Sequence, residues 1–277
     1  MNTGKTLPVD KEIKDNLKSV KHVLVVMSGK GGVGKSTVAA NLALSLSVGG
    51  KRVGLVDCDI HGPSIPKLLG IESAVPEASK EGITPILVPP QVKVMSMAFL
   101  LPSADSPVIW RGPVKMKAVK DFLGQVLWGE LDYLIIDLPP GTGDEPLSIA
   151  QLIPEVDGVI IVTTPQDVAL LSVRKSITFA RTLKMPILGI VENMSGYTCP
   201  HCGKEVDIFG SGGGEKAAAE MNVPFLGKIP LDTMIVESGD EGTPFVLRDT
   251  SVSQAFSTVV DNIENQIKKK NSRKGGD

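Results

Sequence analysis

Five short apolar runs alternate with longer segments of helical periodicity along the chain. The runs cover residues 23–27, 52–57, 133–137, 159–163 and 187–191. Their apolar residues are continuous rather than alternating, so both faces of each strand are expected to be buried. Buried strands that alternate with helices predict an α/β fold, with a doubly wound, mostly parallel sheet and helices on both faces.

The remaining pattern predicts one domain with short polar ends. Two apolar runs around Pro89 and Pro90 predict an edge hairpin within residues 83–97. Because no linker-like break or internal repeat occurs, we assign residues 22–268 to one domain, with residues 1–21 as a polar tail or loosely docked segment. Residues 269–277 are expected to form a basic solvated tail.

The C-terminal region contains an amphipathic run whose apolar residues recur at helical spacing. Membrane anchoring is one interpretation of such a run, but Asp261 and Glu264 interrupt its polar face. Helices that bind lipid surfaces usually carry a basic polar face. We therefore expect this helix to pack against the sheet.

A glycine-rich loop, SGKGGVGKST at residues 28–37, separates the first run from a helical pattern. Strand, glycine loop and helix together form a phosphate cradle. Read as G-x-G-x-x-G, the loop resembles a dinucleotide fingerprint, with Asp57 as the ribose-binding acid. Read as G-x-x-x-x-G-K-[ST], it is a mononucleotide P-loop, and only this interpretation gives Lys35 and Ser36 a purpose. The predicted nucleotide-binding residues of the loop are Gly29, Lys30, Gly31, Gly32, Val33, Gly34, Lys35, Ser36 and Thr37.

Hydrolysis of a nucleoside triphosphate requires a magnesium ion, positive charge on the phosphates and a positioned water. Ser36 is the predicted Mg²⁺ ligand, and Lys35 is expected to span the terminal phosphates. Asp137 ends an apolar strand and fits the acid that orients the waters of the metal. Asp59 is the candidate for orienting the attacking water with Asp57 beside it, although the sequence does not decide between these two acids. Gly141 is a candidate donor of a backbone amide to the γ-phosphate, in a switch loop at residues 137–144.

Cys199 and Cys202 form a C-x-x-C pair in an insert near residues 193–213. A redox dithiol belongs at the start of a helix in a thioredoxin-like unit, which this context does not provide. Zinc and an iron–sulfur cluster both remain open. Either centre needs about four thiolates, so a second copy of the chain is expected to supply the other pair. His201 is left out of the ligand set, and Cys58 is interpreted as a core residue.

Composition narrows the classes of function. The chain has 277 residues, a formal net charge of −2 and 4% aromatic residues. The near-neutral charge and the low content of aromatic residues argue against nucleic acid as a partner. No apolar run is long enough to span a membrane. Three cysteines are too few for a disulfide framework, which predicts a cytoplasmic protein.

The segment KGGVGKST resembles the deviant Walker A motif of the MinD, ParA and nitrogenase-iron-protein group. In that group the first lysine reaches across a dimer to the phosphates of the partner. The resemblance therefore implies that Lys30 acts in a nucleotide-dependent homodimer.

Further motifs restrict the resemblance to one family of proteins. They are SGKGGVGKST, VDCDIHGPSIP, VIWRGP, YLIIDLPPGTGDEPLS, VENMSGYTCPHCG and FGSGGGEKAA. Together they resemble the Mrp/Nbp35/ApbC family of iron–sulfur cluster carrier ATPases. This resemblance implies an ATP-binding homodimer that holds a labile [4Fe–4S] cluster between two C-x-x-C pairs and transfers it to apo-proteins. It also implies that Asn193, Pro230 and Asp232 lie at the adenine.

Three other functions remain as alternatives. The first is a MinD/ParA-like positioning ATPase with a structural zinc at its dimer interface. The second is a reductase like the nitrogenase iron protein, whose cluster cysteines are well separated in sequence rather than paired. The third is a structural zinc dimer with incidental ATPase activity. Counting metal and sulfide per dimer separates cluster from zinc.

Overall fold

A computed structural model describes residues 11–101 and 112–274 of the chain, the last two by their backbone only. Residues 1–10 of the predicted tail, residues 275–277 and most of the VIWRGP motif lie outside the described residues. The strands are β1 (Val20–Ser28), β2 (Val53–Asp57), β3 (Glu77–Ala78), β4 (Ile83–Thr84), β5 (Ile86–Val88), β6 (Val92–Ser96), β7 (Leu131–Asp137), β8 (Gly158–Thr163), β9 (Ile187–Glu192), β10 (Tyr197–Thr198), β11 (Glu205–Val206) and β12 (Phe225–Lys228).

The helices occupy most of the connections between these strands. They are α1 (Lys11–Leu17), α2 (Lys35–Val48), α3 (Ile65–Leu68), α4 (Gly112–Gly124), α5 (Asp144–Leu152), α6 (Asp167–Thr182), α7 (Gly213–Glu220), α8 (Thr233–Asp240) and α9 (Ser251–Lys274). Two short 3₁₀ turns cover Met97–Leu100 and Phe245–Leu247.

Eight strands form one sheet in the order β12-β9-β8-β1-β7-β2-β6-β5. All neighbours in it are parallel except β5, which pairs antiparallel with β6 at one edge. The predicted edge hairpin is therefore confirmed. Helices α1 and α4–α7 cover one face of the sheet, and α2, α3, α8 and α9 cover the other. The predicted doubly wound α/β fold is confirmed.

The start of the described chain is more firmly held than a loose tail. In α1, Ile13 and Leu17 are buried. The Asn16 side-chain amide donates to the carbonyls of Leu123 and Val126, both at 2.9 Å. Residues 11–17 therefore form a helix that is docked on the domain.

The apolar side of α9 is buried against the sheet, as its pattern predicts. Its buried residues are Val252, Phe256, Val259, Val260, Ile263 and Ile267. The helix continues past residue 268 to Lys274, so residues 269–274 extend α9 and are not a separate segment, while residues 269, 271 and 272 are exposed as expected. No helix among residues 11–101 and 112–274 is long and apolar enough to cross a membrane.

A polar contact ties the end of α9 to the start of β8. Lys270 Nζ donates to the Asp157 carbonyl at 2.6 Å and to Asp157 Oδ1 at 3.3 Å. The Val23 amide donates to Asp157 Oδ2 at 3.1 Å. Partial burial alone would raise the pKa of Asp157, but contacts with His22, the Val23 amide and Lys270 lower it to about 2.

We expect Asp157→Asn to lower the free energy of unfolding by about 1 kcal/mol at pH 7, because the ionised form is favoured in the folded state. Since the folded pKa lies below the unfolded value of 3.8, this stabilisation is present above about pH 4 and is lost towards pH 2. Urea unfolding at pH 7 and pH 3 measures the difference. The exposed Asp261→Asn on α9 is the control. An equal loss at both pH values would contradict the assigned role of the charge.

Candidate nucleotide and metal site

The carboxyl ends of five parallel strands meet at one edge of the sheet. Asp137 at the end of β7 is in register with Val26 on one side and with Asp57, the last residue of β2, on the other. On the far side of β1, Thr163 of β8 is in register with Glu192 of β9. Ligands of open parallel sheets bind at this edge.

The glycine loop leads from β1 into the N-terminus of α2. Gly32 and Gly34 have φ values of 76° and 82°, a left-handed conformation that favours glycine. Gly34 occupies the N-cap position of α2 and has no side chain with which to cap the helix. The first amides of α2 therefore remain for an anion. A Cβ on Gly29 would lie 2.3 Å from the Ser172 carbonyl of α6, so packing also requires glycine there.

Three predicted side chains meet in one buried cluster. Lys35 Nζ forms an ion pair with Asp137 Oδ1 at 2.7 Å and donates to Ser36 Oγ at 3.1 Å. Ser36 Oγ donates to Asp137 Oδ2 at 2.5 Å. Asp137 is fully buried, and its Oδ1 accepts no hydrogen bond besides the ion-pair contact. Burial raises the pKa of Asp137, and Lys35 opposes that shift.

This donor set fits a magnesium ion. Mg²⁺ prefers oxygen ligands and usually keeps several waters while binding one or two protein groups and the substrate phosphates. A hydroxyl and a buried carboxylate at hydrogen-bonding distance beside an open helix N-terminus match that requirement. Ser36 would hold the ion, and Asp137 would orient its waters.

The two acids after β2 have different surroundings. Asp57 is fully buried and accepts from the Asp59 amide at 3.1 Å and from Ser96 Oγ at 2.9 Å. Burial, together with the charge of Asp137, raises the pKa of Asp57 to about 7. Asp57 thus supports the loop that follows β2. Because its side chain is fully buried, it does not fit the role of a ribose-binding acid. Asp59 is 8% exposed and accepts from the amides of residues 61 and 62 at 3.3 Å.

Two predicted phosphate contacts have other partners in this structure. The Gly141 amide donates to the Ser28 carbonyl at 2.8 Å, so it is not free for a γ-phosphate. Its predicted role requires this bond to be exchanged. Lys30 is partly exposed, and its Nζ lies 3.5 Å from Gln166 Oε1 at the start of α6. The structure therefore places Lys30 apart from the Lys35–Asp137 pair.

A cleft of about 250 Å³ opens beside the glycine loop. Asn193, Pro230 and Asp232 line it together with Gly34 and Thr37. The side-chain amide of Asn193 donates to the Val33 carbonyl at 2.9 Å. Asp232 Oδ1 caps α8 by accepting from the backbone amide of Met234 at 2.8 Å. The structure thus brings all three predicted adenine contacts to one cleft next to the phosphate cradle.

The thiol pair lies at the tip of a small exposed hairpin. Strands β10 and β11 pair antiparallel, and residues 199–204 form the turn between them. Cys202 is exposed and Cys199 is partly exposed. Hydrogen bonds from the backbone amides of Cys202 and His201 lower the pKa of Cys199. Burial raises the pKa of the Cys58 thiol well above its ordinary value, which agrees with a core residue.

No three His, Cys, Asp or Glu side chains come together as a metal site in the described part of the chain. The two hairpin thiols of one chain therefore make at most half of a four-thiolate centre.

Sequence reasoning missed two sets of residues. His61 Nε2 lies 2.9 Å from Lys115 Nζ and 3.4 Å from Glu145 Oε2, joining the loop after Asp59 to the start of α5. Glu192 is fully buried at the end of β9. Its position was the available signal, because Asp57 and Asp137 also end parallel strands.

The open sheet, the glycine loop and the buried Lys35–Ser36–Asp137 cluster define a P-loop nucleotide-binding protein. The alternative of a dinucleotide-binding loop is wrong. The chain belongs to the family of NUBPL iron-transfer P-loop NTPases within the ParA group, whose model matches residues 19–266.

Similar proteins agree with this family. The chain is 55% identical to the iron-sulfur cluster carrier protein of Methanocaldococcus jannaschii, over 94% of this chain and 90% of that protein. It is 52% identical to the carrier protein of Saccharolobus solfataricus, over 92% and 87% of the two chains. A nucleotide-binding protein from Archaeoglobus fulgidus, solved with ADP, aligns with a TM-score of 0.77 at 42% identity, over 87% and 94%. The cell division ATPase MinD of Pyrococcus furiosus aligns with a TM-score of 0.65 at 25% identity, over 88% and 99%.

We expect Ser36→Ala to remove most of the gain in ATP affinity that Mg²⁺ provides, about tenfold, because the predicted metal ligand is lost. Affinity for ATP in EDTA should change little. Isothermal titration with and without Mg²⁺ measures both values. Ser45→Ala makes the same chemical change further along α2 and should behave as the parent chain. An unchanged Mg²⁺ dependence in Ser36→Ala would contradict this assignment.

Proposed function

We propose that the chain is an ATP-hydrolysing iron–sulfur cluster carrier. It holds a labile [4Fe–4S] cluster between two subunits and transfers the cluster to apo-proteins. The observation that carries the proposal is the exposed C-x-x-C hairpin, which offers two thiolates and no third ligand within the described residues of a P-loop NTPase. The names of the similar carrier proteins support the same cargo.

The nucleotide site supplies the hydrolytic step. Lys35 would exchange Asp137 for the terminal phosphates. Ser36 would hold Mg²⁺ and Asp137 would orient the waters of the ion, which would supply positive charge beside the phosphates. Asp59 positions the attacking water, since it is the less buried of the two acids after β2, and Asp57 supports the loop.

The dimer is the second part of the proposal. Lys30 is partly exposed on the glycine loop, and its side chain makes a long contact of 3.5 Å to Gln166. A lysine so placed is available to a phosphate in a partner subunit. Dimerisation on ATP would then bring two C-x-x-C hairpins to one symmetry axis and complete the four-thiolate site.

The accessible thiols suit a site for a transferable cluster better than a site for a permanent metal centre. The lowered pKa of Cys199 increases the fraction of thiolate, which is the form that binds metal. Exposure of Cys202 leaves the cluster open to an acceptor.

The apolar side of α9 is buried, which removes the feature that favoured a membrane-anchored positioning ATPase.

Anaerobic reconstitution with iron and sulfide tests the proposal. We expect about four iron atoms per dimer with matching sulfide, and loss of both in Cys199→Ser or Cys202→Ser. Cys58→Ala removes the buried thiol and should retain the cluster. Iron and sulfide are counted on the purified dimer, whose mass is measured by light scattering. Transfer is measured as activation of an apo-acceptor. One zinc per dimer without sulfide would contradict the carrier function and favour a structural site.

We expect Lys35→Ala to abolish ATP binding and hydrolysis, because the buried cation that faces the phosphates is removed. The thiols are on a separate hairpin, so this variant should still take up iron and sulfide in vitro. Equilibrium binding of a fluorescent ATP analogue and iron counting measure the two functions. Lys51→Ala, just beyond the C-terminal end of α2, is the control. Loss of cluster uptake in Lys35→Ala would show that the roles are not divided in this way.

A further inference from the structure

A buried carboxylate lies at the base of the thiol hairpin. Glu192 Oε1 accepts a hydrogen bond from Ser195 Oγ and another from the Gly212 amide at 2.8 Å. Glu192 Oε2 accepts from the Gly214 amide in the first turn of α7. Both oxygens are thus bonded, and the side chain is fully buried. A buried charge without such donors would be strongly unfavourable.

The donors to Glu192 come from both ends of the hairpin. Ser195 precedes β10, and Gly212 follows β11 and begins the turn into α7. Ser195 Oγ and Ser211 Oγ also lie 3.3 Å apart. In contrast, residues 201–209 are exposed. The base of the hairpin is attached to the domain through the carboxylate of Glu192 and through backbone hydrogen bonds of Ser195 and Gly196 to the segment that follows β12.

The next residue in the chain is part of the nucleotide site. Asn193 donates from its side chain to the Val33 carbonyl of the glycine loop, and its amide donates to the Thr163 carbonyl at 2.7 Å. A Cβ on Gly34 would meet Asn193 Nδ2, so a side chain at position 34 would displace this amide. Asn193 therefore links the glycine loop directly to the peptide that carries Glu192.

We propose that Glu192 is the positioning residue that couples the nucleotide state of the glycine loop to the thiol hairpin. When nucleotide binds, the position of Asn193 changes and the preceding residue, Glu192, moves with it. The two ends of the hairpin follow, because Ser195 and Gly212 donate hydrogen bonds to Glu192. The inference rests on the proposed function only in taking Cys199 and Cys202 as the metal-binding pair. It assigns to the buried acid the regulation of that pair by nucleotide.

The test uses the full-length, reduced protein without metal. Cys58 is buried, so the native protein reacts with a thiol reagent such as DTNB through Cys199 and Cys202. We expect MgADP to slow this reaction about fivefold in the parent chain, at the lower end of ordinary coupling between sites. In Glu192→Gln the effect should fall below about twofold while affinity for ADP stays within about threefold of the parent. The isosteric amide keeps the shape but places an NH₂ group against a backbone N–H donor.

Two further variants keep the result interpretable. Glu205→Gln makes the same change on the exposed part of the hairpin and should keep the full nucleotide effect. Ser195→Ala removes one bond to Glu192 without altering the acid and should give an intermediate effect, even if Glu192→Gln folds poorly. Thermal unfolding monitors folding of each variant.

A full nucleotide effect in folded Glu192→Gln, or in Ser195→Ala if the first variant does not fold, would overturn the inference. No nucleotide effect in the parent chain would overturn it as well. Iron counting separates this result from the carrier function. A chain that shows coupling but binds no iron and sulfide would refute the proposed function and leave the coupling intact.

Discussion

The buried ion pair between Lys35 and Asp137 is the interaction on which the nucleotide site depends. Both groups are nearly inaccessible to solvent, so each needs the other as a counter-charge. A phosphate that enters the cradle competes with Asp137 for Lys35. The released carboxylate, with Ser36 beside it, would then offer oxygen ligands to a divalent cation. Binding of nucleotide and rearrangement of the charges are therefore one event.

The parallel sheet brings these groups together from distant parts of the chain. Ser36 and Asp137 are 101 residues apart, yet they share a hydrogen bond because β1 and β7 are neighbours with the same direction. The same arrangement brings the end of β9 to the glycine loop, where Asn193 bonds Val33 across 160 residues. Each strand end thus contributes one polar residue to a common edge, while the strands themselves remain apolar.

The parts of the fold that could be predicted are those whose signal is local. Continuous apolar runs identified β1, β2, β7, β8 and β9, and the glycine loop identified the cradle together with Lys35 and Ser36. The tie between Lys270 and Asp157 was not predicted, because an exposed-looking lysine gives no sign of a partner 113 residues away. Glu192 was missed for a related reason. Its place at the end of β9 was a signal, but only tertiary packing shows that three donors surround its carboxylate.

The nucleotide site and the thiol pair differ in the stability of the structural elements that carry them. The nucleotide site lies on buried strand ends, whereas the thiols lie on a two-stranded hairpin, a structure that is marginally stable by itself in water. Such a hairpin takes its position from its attachment. Since Glu192 provides part of that attachment and Asn193 contacts the glycine loop, one peptide bond joins an anchor of the thiol hairpin to the nucleotide site. The thiols are therefore exposed while their position depends on the buried end of β9.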